Sequence, residues 1–583
     1  MRDALCEQLL RELDAGISLQ HVEWLTRNTP HRVSGMGQDR KAAEYICKTL
    51  EAYGCDKTKI LEYETYNSRP GTSELTLLEP EQRRIESLPC CHVEATPAGG
   101  AEYEVVYVGP GAESDYTGKD VAGKAVLVEV SYAPATPEKA MIACQKGASA
   151  IICMNWGPPE KELICMRGLK GVWGNPTPDT YGNIPKIIGC SITRKDGERL
   201  RDMCLMGKTV RVHLHVTAER IWEKLPQPIG IIRGTEEPEK FLLVSAHLEA
   251  WEPGATDNAT GNATLLEMAR ILAKHRDKLR RSICFVFWNG HEIAEASGST
   301  WFVDYFWDEI SENCIGYINV DSTGMIEAEQ YQASASRELW DFAAETVKYA
   351  IGEDIQAAEM GKIADQSFFG IGVPTIFGHM SFTEEVLEKY HGATFGWWNH
   401  TAEDGLDKVS RENMERDNRV QLIVALLFLN SKILPYNFTV TAQDIQRKLT
   451  EMKPVSDGII DISNLTDLAS RLCRNVEKLN SIIEMEKQKE ENSGYAQLIN
   501  RVLMKLSRTL TGAFYSASSR YAQDSYSLSV LQKPVPLLYP LYEMHEMEET
   551  SLEYRLQYTQ MLRNRNMLAD ALRTANEFIE SLF

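Results

Sequence analysis

Between residues 220 and 435 short apolar runs alternate with stretches of helical period. The runs at 241–246 (FLLVSA), 283–288 (ICFVFW), 314–320 and 374–378 have the length and continuity of buried strands. Between them, apolar positions three and four apart over 263–274, 298–307, 337–351 and 417–434 predict helices. Strands alternating with helices predict an α/β domain, a central sheet flanked by helices, with chemistry gathered beyond the strand ends.

The pattern changes on either side. Over 70–219, short apolar runs (75–78, 104–108, 125–130, 150–154, 210–216) are separated by Gly, Pro and Asp turns, with one helical stretch at 137–147. That is the pattern of an inserted β-rich domain. Residues 1–69 read as an amphipathic helix (Leu5, Leu9, Leu10, Leu13), a turn at Thr29-Pro30, a helix over 38–53 closed by Gly54, and a strand at 60–65. They read as the N-terminal part of the α/β domain. Residues 436–583 are helical: Leu465, Leu468, Leu472, Val476, Leu479 and Ile483 keep a three-four spacing, and a second amphipathic run covers 552–583. Between them an apolar loop, 532–543, requires cover. Four segments result: 1–69, 70–219, 220–435 and 436–583.

Composition narrows the partners. The chain has 583 residues, too many for one core. A formal net charge of −21 disfavours nucleic acid and anionic membrane surfaces. No apolar run reaches the roughly 18 residues of a membrane span, and the first residues lack a signal-peptide core. With 13 cysteines in no zinc-finger spacing, reduced thiols and a cytoplasmic location are expected, and the Cys90-Cys91 pair reads as structural. His213 and His215 share one strand face, which reads as half-exposed rather than as a metal pair.

Five residues of metal-ligand type stand at or just beyond strand ends: His247, Asp257, Glu292, Asp321 and His400. Two imidazoles and three carboxylates suit two divalent ions, zinc first and manganese or cobalt as alternatives, with one carboxylate shared.

Five motifs give that constellation a family resemblance. SAHLEAWEPGATDNATG (245–261), FVFWNGHEIAEASGS (285–299), INVDSTG (318–324), ADQSFFGIGVPTI (364–376) and WWNHTAEDGLDKV (397–409) resemble, in order and spacing, the family 28 metallopeptidases. These include leucine-type aminopeptidases, glutamate carboxypeptidase II and the transferrin receptor. DYTGKDVAGKAVLVEV (115–130) followed by EKAMIACQKGASAIICMNW (138–156) resembles the protease-associated domain.

The resemblance implies a phosphorylase/hydrolase-like zinc-peptidase fold with a mixed sheet, a protease-associated-like insert, a helical C-terminal domain and a homodimer. Asp257 would bridge the metals; His247 and Asp321 would complete one site, Glu292 and His400 the other. Glu249 would accept the other ring N–H of His247, Asn258 would help aim Asp257, and Thr401 and Asp404 would support His400. Asp365, Phe368, His379, Trp397, Trp398 and Asn399 would lie by the substrate.

One position departs from the family: His291 stands where its members keep the Glu that acts as base. An imidazole can do that work near neutrality. The activity implied is cleavage of a small peptide or amino-acid amide, aminopeptidase-like, by a water activated at the metal pair with His291 carrying the proton. The alternative is a catalytically altered protein of transferrin receptor-like architecture that binds metal or a partner. No Arg cluster marks the ligand loops, so a free-amine substrate is favoured over an acidic C-terminal residue.

Overall fold

The structure is a computed structural model in which residues 2–361, 365–489, 494–523 and 533–583 are described. Ala364 of the fourth motif and Gln532 of the apolar loop lie outside them. β1 (Lys57–Arg69) is followed by β2 (Ser73–Glu79), β3 (Arg83–Ile85), β4 (Ser87–Pro89), β5 (Ala101–Tyr107), β6 (Ala125–Glu129), β7 (Ala150–Met154), β8 (Ile188–Ile192) and β9 (Arg211–Val216). Then come β10 (Glu219–Ile232), β11 (Glu237–His247), β12 (Arg281–Trp288), β13 (Cys314–Asn319), β14 (Gln330–Ala335), β15 (Ala358–Glu359) and β16 (Thr375–Ser381).

Two sheets form. The first has the order β1-β10-β12-β11-β13-β16-β14-β15, and the second the order β3-β2-β9-β5-β6-β7-β8-β4. In the first, β12, β11, β13 and β16 are mutually parallel, while β1, β10 and β14 pair antiparallel, so the sheet is mixed. β12 and β13 are buried at every residue. That explains their unbroken apolar runs: helices cover both faces, so no alternation survives.

The long strand β10 is absent from the sequence expectation. Its segment EKLPQPIGII carries Pro226 and Pro228, residues that argue against a strand interior. Both fall where β10 pairs with β1 alone, opposite Glu62 and Ile60; pairing with β12 starts only at Ile229. The same antiparallel ladder, from Lys57 opposite Ile231 to Arg69 opposite Glu219, frames the insert. Between its two strands lie the second sheet and helices Thr136–Gln145 and Arg194–Leu205. There His213 and His215 are half-buried on one face of β9, and His213 Nε2 bonds the carbonyl of Gly99.

One continuous apolar core runs from the N-terminal helices through the first sheet into the C-terminal helices; the second sheet has its own. The apolar loop after residue 532 is covered by the chain itself. Val535, Leu538 and Leu541 are fully buried, packed against helices Gly494–Phe514 and Leu552–Glu580. Among the described residues the cysteines form no disulfide. Among the described residues no helix is long and apolar enough to cross a membrane.

Candidate metal centre

The parallel register lines up three strand ends. His247 closes β11 opposite Trp288, the last residue of β12, and Ser245 lies opposite Asn319, the last of β13. His291 and Glu292 on the loop after β12, and Asp321 just past β13, therefore emerge beside His247. Asp257 arrives from a distorted turn, Ala255–Ala259, ahead of helix Thr260–Lys274; its φ of −124° and ψ of 86° are not helical, and its peptide bond to Asn258 is cis. Two glycines permit that turn. A β-carbon at Gly254 (φ +53°) would lie 2.4 Å from the carbonyl oxygen of Asp257, and one at Gly261 would lie 2.2 Å from Asn258 Oδ1.

The five predicted ligand residues converge. Asp257 presents Oδ1 at 2.9 Å from His247 Nε2 and Oδ2 at 2.9 Å from His400 Nε2. Asp321 Oδ1 lies 3.6 Å from His247 Nε2, and Glu292 Oε1 lies 2.9 Å from His400 Nε2. Three overlapping sets result, His247/Asp257/Asp321, Asp257/Glu292/His400 and His247/His291/Glu292, each with donor atoms within 4.8 Å of one another; the first two share Asp257. The residues fit divalent ions on a direct observation. His247 Nε2 and Glu292 Oε1 are buried and within contact distance of their neighbours, yet neither makes a hydrogen bond of acceptable geometry. Converging on a cation satisfies such atoms; facing one another does not.

The imidazoles are anchored from behind. His247 Nδ1 donates to the carbonyl of Glu249 (3.1 Å), and His400 Nδ1 donates to the carbonyl of Met166 (3.1 Å). Each anchor fixes the tautomer that leaves Nε2 facing the centre. Among the protein's own charges, burial lowers the pKa of His247, but the Asp321 and Asp257 carboxylates win and hold it well above the usual value. His400 is likewise held up at about 9, burial being outweighed by Glu292 and Asp257.

His291 is placed differently. Its ring stacks on that of His247, with centroids 4.1 Å apart and planes 8° from parallel. Its Nδ1 donates to Asp365 Oδ2 at 2.8 Å; Asp365 Oδ1 accepts from Ser299 Oγ at 2.9 Å. Burial and His247 lower its pKa, but Asp365 prevails and holds it at about 9. Two dications beside the ring would act in the opposite direction.

Several supporting residues sit differently from expectation. The backbone carbonyl of Glu249, not its carboxylate, accepts from His247; the carboxylate instead accepts the backbone N–H of Glu292 (3.0 Å), and burial pushes its pKa up to about 7. Asp404 serves Asp257 rather than His400, accepting the N–H groups of Thr256 (2.9 Å) and Asp257 (3.0 Å). Thr401 caps the turn that carries His400 through the carbonyl of Trp398. Asn258 donates to the carbonyl of Val320 and accepts from Gly261 N, tying the turn to the end of β13. Asn399 does face the centre, donating to Asp257 Oδ2.

The aromatic residues expected at the substrate are mostly core. Trp398 is fully buried, its indole N–H donated to Thr256 Oγ1 (3.0 Å). Trp397 lies under the Lys161 ammonium, 3.9 Å from the ring centroid. Phe368 is fully buried between Trp288 and Tyr317. His379 is turned inward, Nδ1 donating to the carbonyl of Met380. None of the four lines the cleft.

That cleft, about 490 Å³, opens over the metal centre and is walled by residues that sequence reasoning missed. Tyr132, Trp156 and Arg167 come from the inserted segment, Phe377 and Phe395 from the main domain. The Arg167 guanidinium stacks over Trp156 at 4.4 Å, and its Nε and Nη2 are buried with no hydrogen-bond partner. Their segment carries no periodic signal that could have placed them here.

The chain also matches known proteins. Residues 229–425 match the profile of peptidase family M28, and residues 101–200 that of the PA domain. The probable glutamate carboxypeptidase VP8 of Zea mays is 23% identical over 555 residues, covering 82% of this chain and 76% of that protein. Aminopeptidase YwaD of Bacillus subtilis is 26% identical over 402 residues, covering 66% of this chain and 78% of that one. Aminopeptidase NAALADL1 of Rattus norvegicus is 30% identical, but the match spans only 28% of this chain and 21% of that protein. Among solved structures, a peptidase M28 precursor from Shewanella amazonensis superposes with a TM-score of 0.60 at 20% identity, covering 74% of this chain and 98% of that one. A zinc aminopeptidase from Bacillus subtilis gives 0.54 at 22%, covering 71% and 95%. Residues 229–425 therefore carry a domain that matches peptidase family M28 and residues 101–200 one that matches the PA domain, and these matches support a metallohydrolase.

Proposed function

We propose that the chain cleaves the amide bond of a small peptide or amino-acid amide, with two divalent ions, zinc first, and His291 as the proton carrier. His247, Asp257 and Asp321 would hold one ion, and Asp257, Glu292 and His400 the other. Ions there would polarise the scissile carbonyl and make water nucleophilic near neutrality.

The observation that carries the reading is the pairing of His291 Nδ1 with Asp365 at 2.8 Å. With Nδ1–H committed to a carboxylate, Nε2 is the basic nitrogen. It can take a proton from an attacking water and deliver it to the departing amine. Asp365 stabilises the imidazolium formed between those steps and keeps the ring in the right tautomer, the division of labour of a His–Asp pair. Ser299 in turn fixes Asp365.

At the substrate end, Glu295, a cleft-lining carboxylate outside the ligand sets, suits a free amine, while Arg167 lines the cleft as a cation. A dipeptide matches both ends. Arg167→Ala is expected to raise KM for dipeptides about tenfold, the worth of one hydrogen-bonded charge, with kcat little changed. Aminoacyl-arylamides, which lack the carboxylate, are expected to keep their KM; an equal change for both classes would remove Arg167 from substrate recognition.

The reading is tested by offering aminoacyl-arylamides, dipeptides, N-acyl and ureido compounds to the zinc-loaded protein. Hydrolysis of amides with a free amine, abolished by a chelator and restored by zinc, is expected. A zinc-loaded protein that cleaves none of them would point to the alternative, a metal-binding protein without hydrolysis.

A further inference from the structure

A loop from Cys165 to Asn175, part of the PA domain, reaches the metal centre from two sides. Toward His400, the Met166 carbonyl accepts the ring Nδ1–H, Met166 N donates to the His400 carbonyl (3.3 Å), and Cys165 Sγ donates to the carbonyl of Asn399 (3.2 Å). Toward the turn that carries His291 and Glu292, Gly174 N donates to the carbonyl of Glu295 (2.9 Å), and Trp173 packs on Ala296. Gly168 lies so close that a β-carbon there would sit 2.6 Å from the carbonyl oxygen of Glu292. Lys170 is wholly buried, and its Nζ donates to the carbonyls of Ala294 (2.8 Å) and Gly174.

The backbone held this way does not hold itself. His400 (φ 59°), Glu295 (φ 53°) and Ala296 (φ 52°) are left-handed without being glycine, a conformation that surrounding contacts must impose. All three touch the loop. The loop is itself anchored at both ends: Cys91 N donates to the Arg167 carbonyl (2.9 Å), Leu169 N donates to the Cys91 carbonyl (3.1 Å), and Asn175 is bonded to Glu64 and Thr65 of β1. A rigid template therefore presses on the two loops that supply Glu292 and His400.

We propose that Lys170 is a positioning residue for the metal centre: its Nζ ties the His291–Ala296 turn to the PA loop, so that the family domain's ion site is completed by its insert. This rests on the metal-centre reading above. It predicts that metal retention depends on a side chain of the PA domain that touches no ligand atom.

The test compares Lys170→Met with Lys139→Met. Lys139 is also wholly buried in the PA domain, but its Nζ donates to the carbonyls of Pro110 and Tyr132, which belong to no ligand loop. Zinc affinity is read by chelator competition, and ligand geometry by the visible absorption of the cobalt-substituted protein. Lys170→Met is expected to weaken zinc retention by about tenfold or more and to change the cobalt spectrum, whereas Lys139→Met changes neither. Wild-type zinc affinity in a folded Lys170→Met protein would overturn the proposal, as would an equal loss in both variants. Should Lys170→Met fail to fold, Gly168→Ala, which pushes on the Glu292 carbonyl, decides by the same two readouts. A wild-type protein that holds zinc tightly but cleaves nothing would sink the proposed function and leave this proposal standing.

Discussion

His291→Ala is expected to lower kcat by about two to four orders of magnitude, the usual worth of a positioned acid-base group, while zinc stays bound. The separation follows from geometry. His291 is held by Asp365 on one side and by stacking on His247 on the other, and the two ligand sets that share Asp257 are complete without it. KM is expected to change little, because the ring acts on the reacting proton rather than on the substrate's ends. His291→Glu places the family's carboxylate at the same position and is expected to recover part of the lost rate. Steady-state kinetics with metal analysis on the same samples check this. Unchanged kcat in His291→Ala would remove the residue from the proton path; loss of zinc with activity would make it a ligand instead.

Asp257→Asn is expected to abolish zinc retention and activity together, by at least about a hundredfold in affinity, more than the loss typical of groups one layer further out. Both carboxylate oxygens are in use, one toward His247 and the other toward His400, at 2.9 Å each. An amide has one acceptor oxygen and no charge, so it serves one set and turns an N–H donor toward the other. Burial works against the Asp257 anion, and the two imidazoles hold its pKa well below the carboxylate range. The substitution therefore takes the shared anion from both sets at once. Chelator competition on the purified variant checks it; near-normal zinc binding would show that the two sets do not share this residue.

Much of this was legible because parallel strands buried on both faces advertise themselves. The runs leading to His247, Trp288 and Asn319 are interrupted by a single polar residue, Ser245, and ligand-type residues follow each closely. What was not legible depends on contacts between distant segments. The expected aromatic wall, Trp397 and Trp398, sits in a turn, where no period tells which way a side chain points, and Trp398 finds its hydrogen-bond partner in Thr256 inside the core. Part of the actual wall (Tyr132, Trp156 and Arg167) and the Lys170 tether come from the insert, more than a hundred residues before the ligand loop that Lys170 holds. The Asp365–His291 pair is hidden in the same way: the motif places Asp365 near the cleft, but only the fold brings it to Nδ1. Strand β10 escaped because its two prolines face only β1.

The measurement that bears most directly on this account is the number of zinc ions bound per chain, determined by elemental analysis of zinc-loaded, desalted protein. Two overlapping ligand sets sharing Asp257 predict about two per chain, both lost in Asp257→Asn. One ion per chain, or none, would contradict the paired centre on which the proposed chemistry rests.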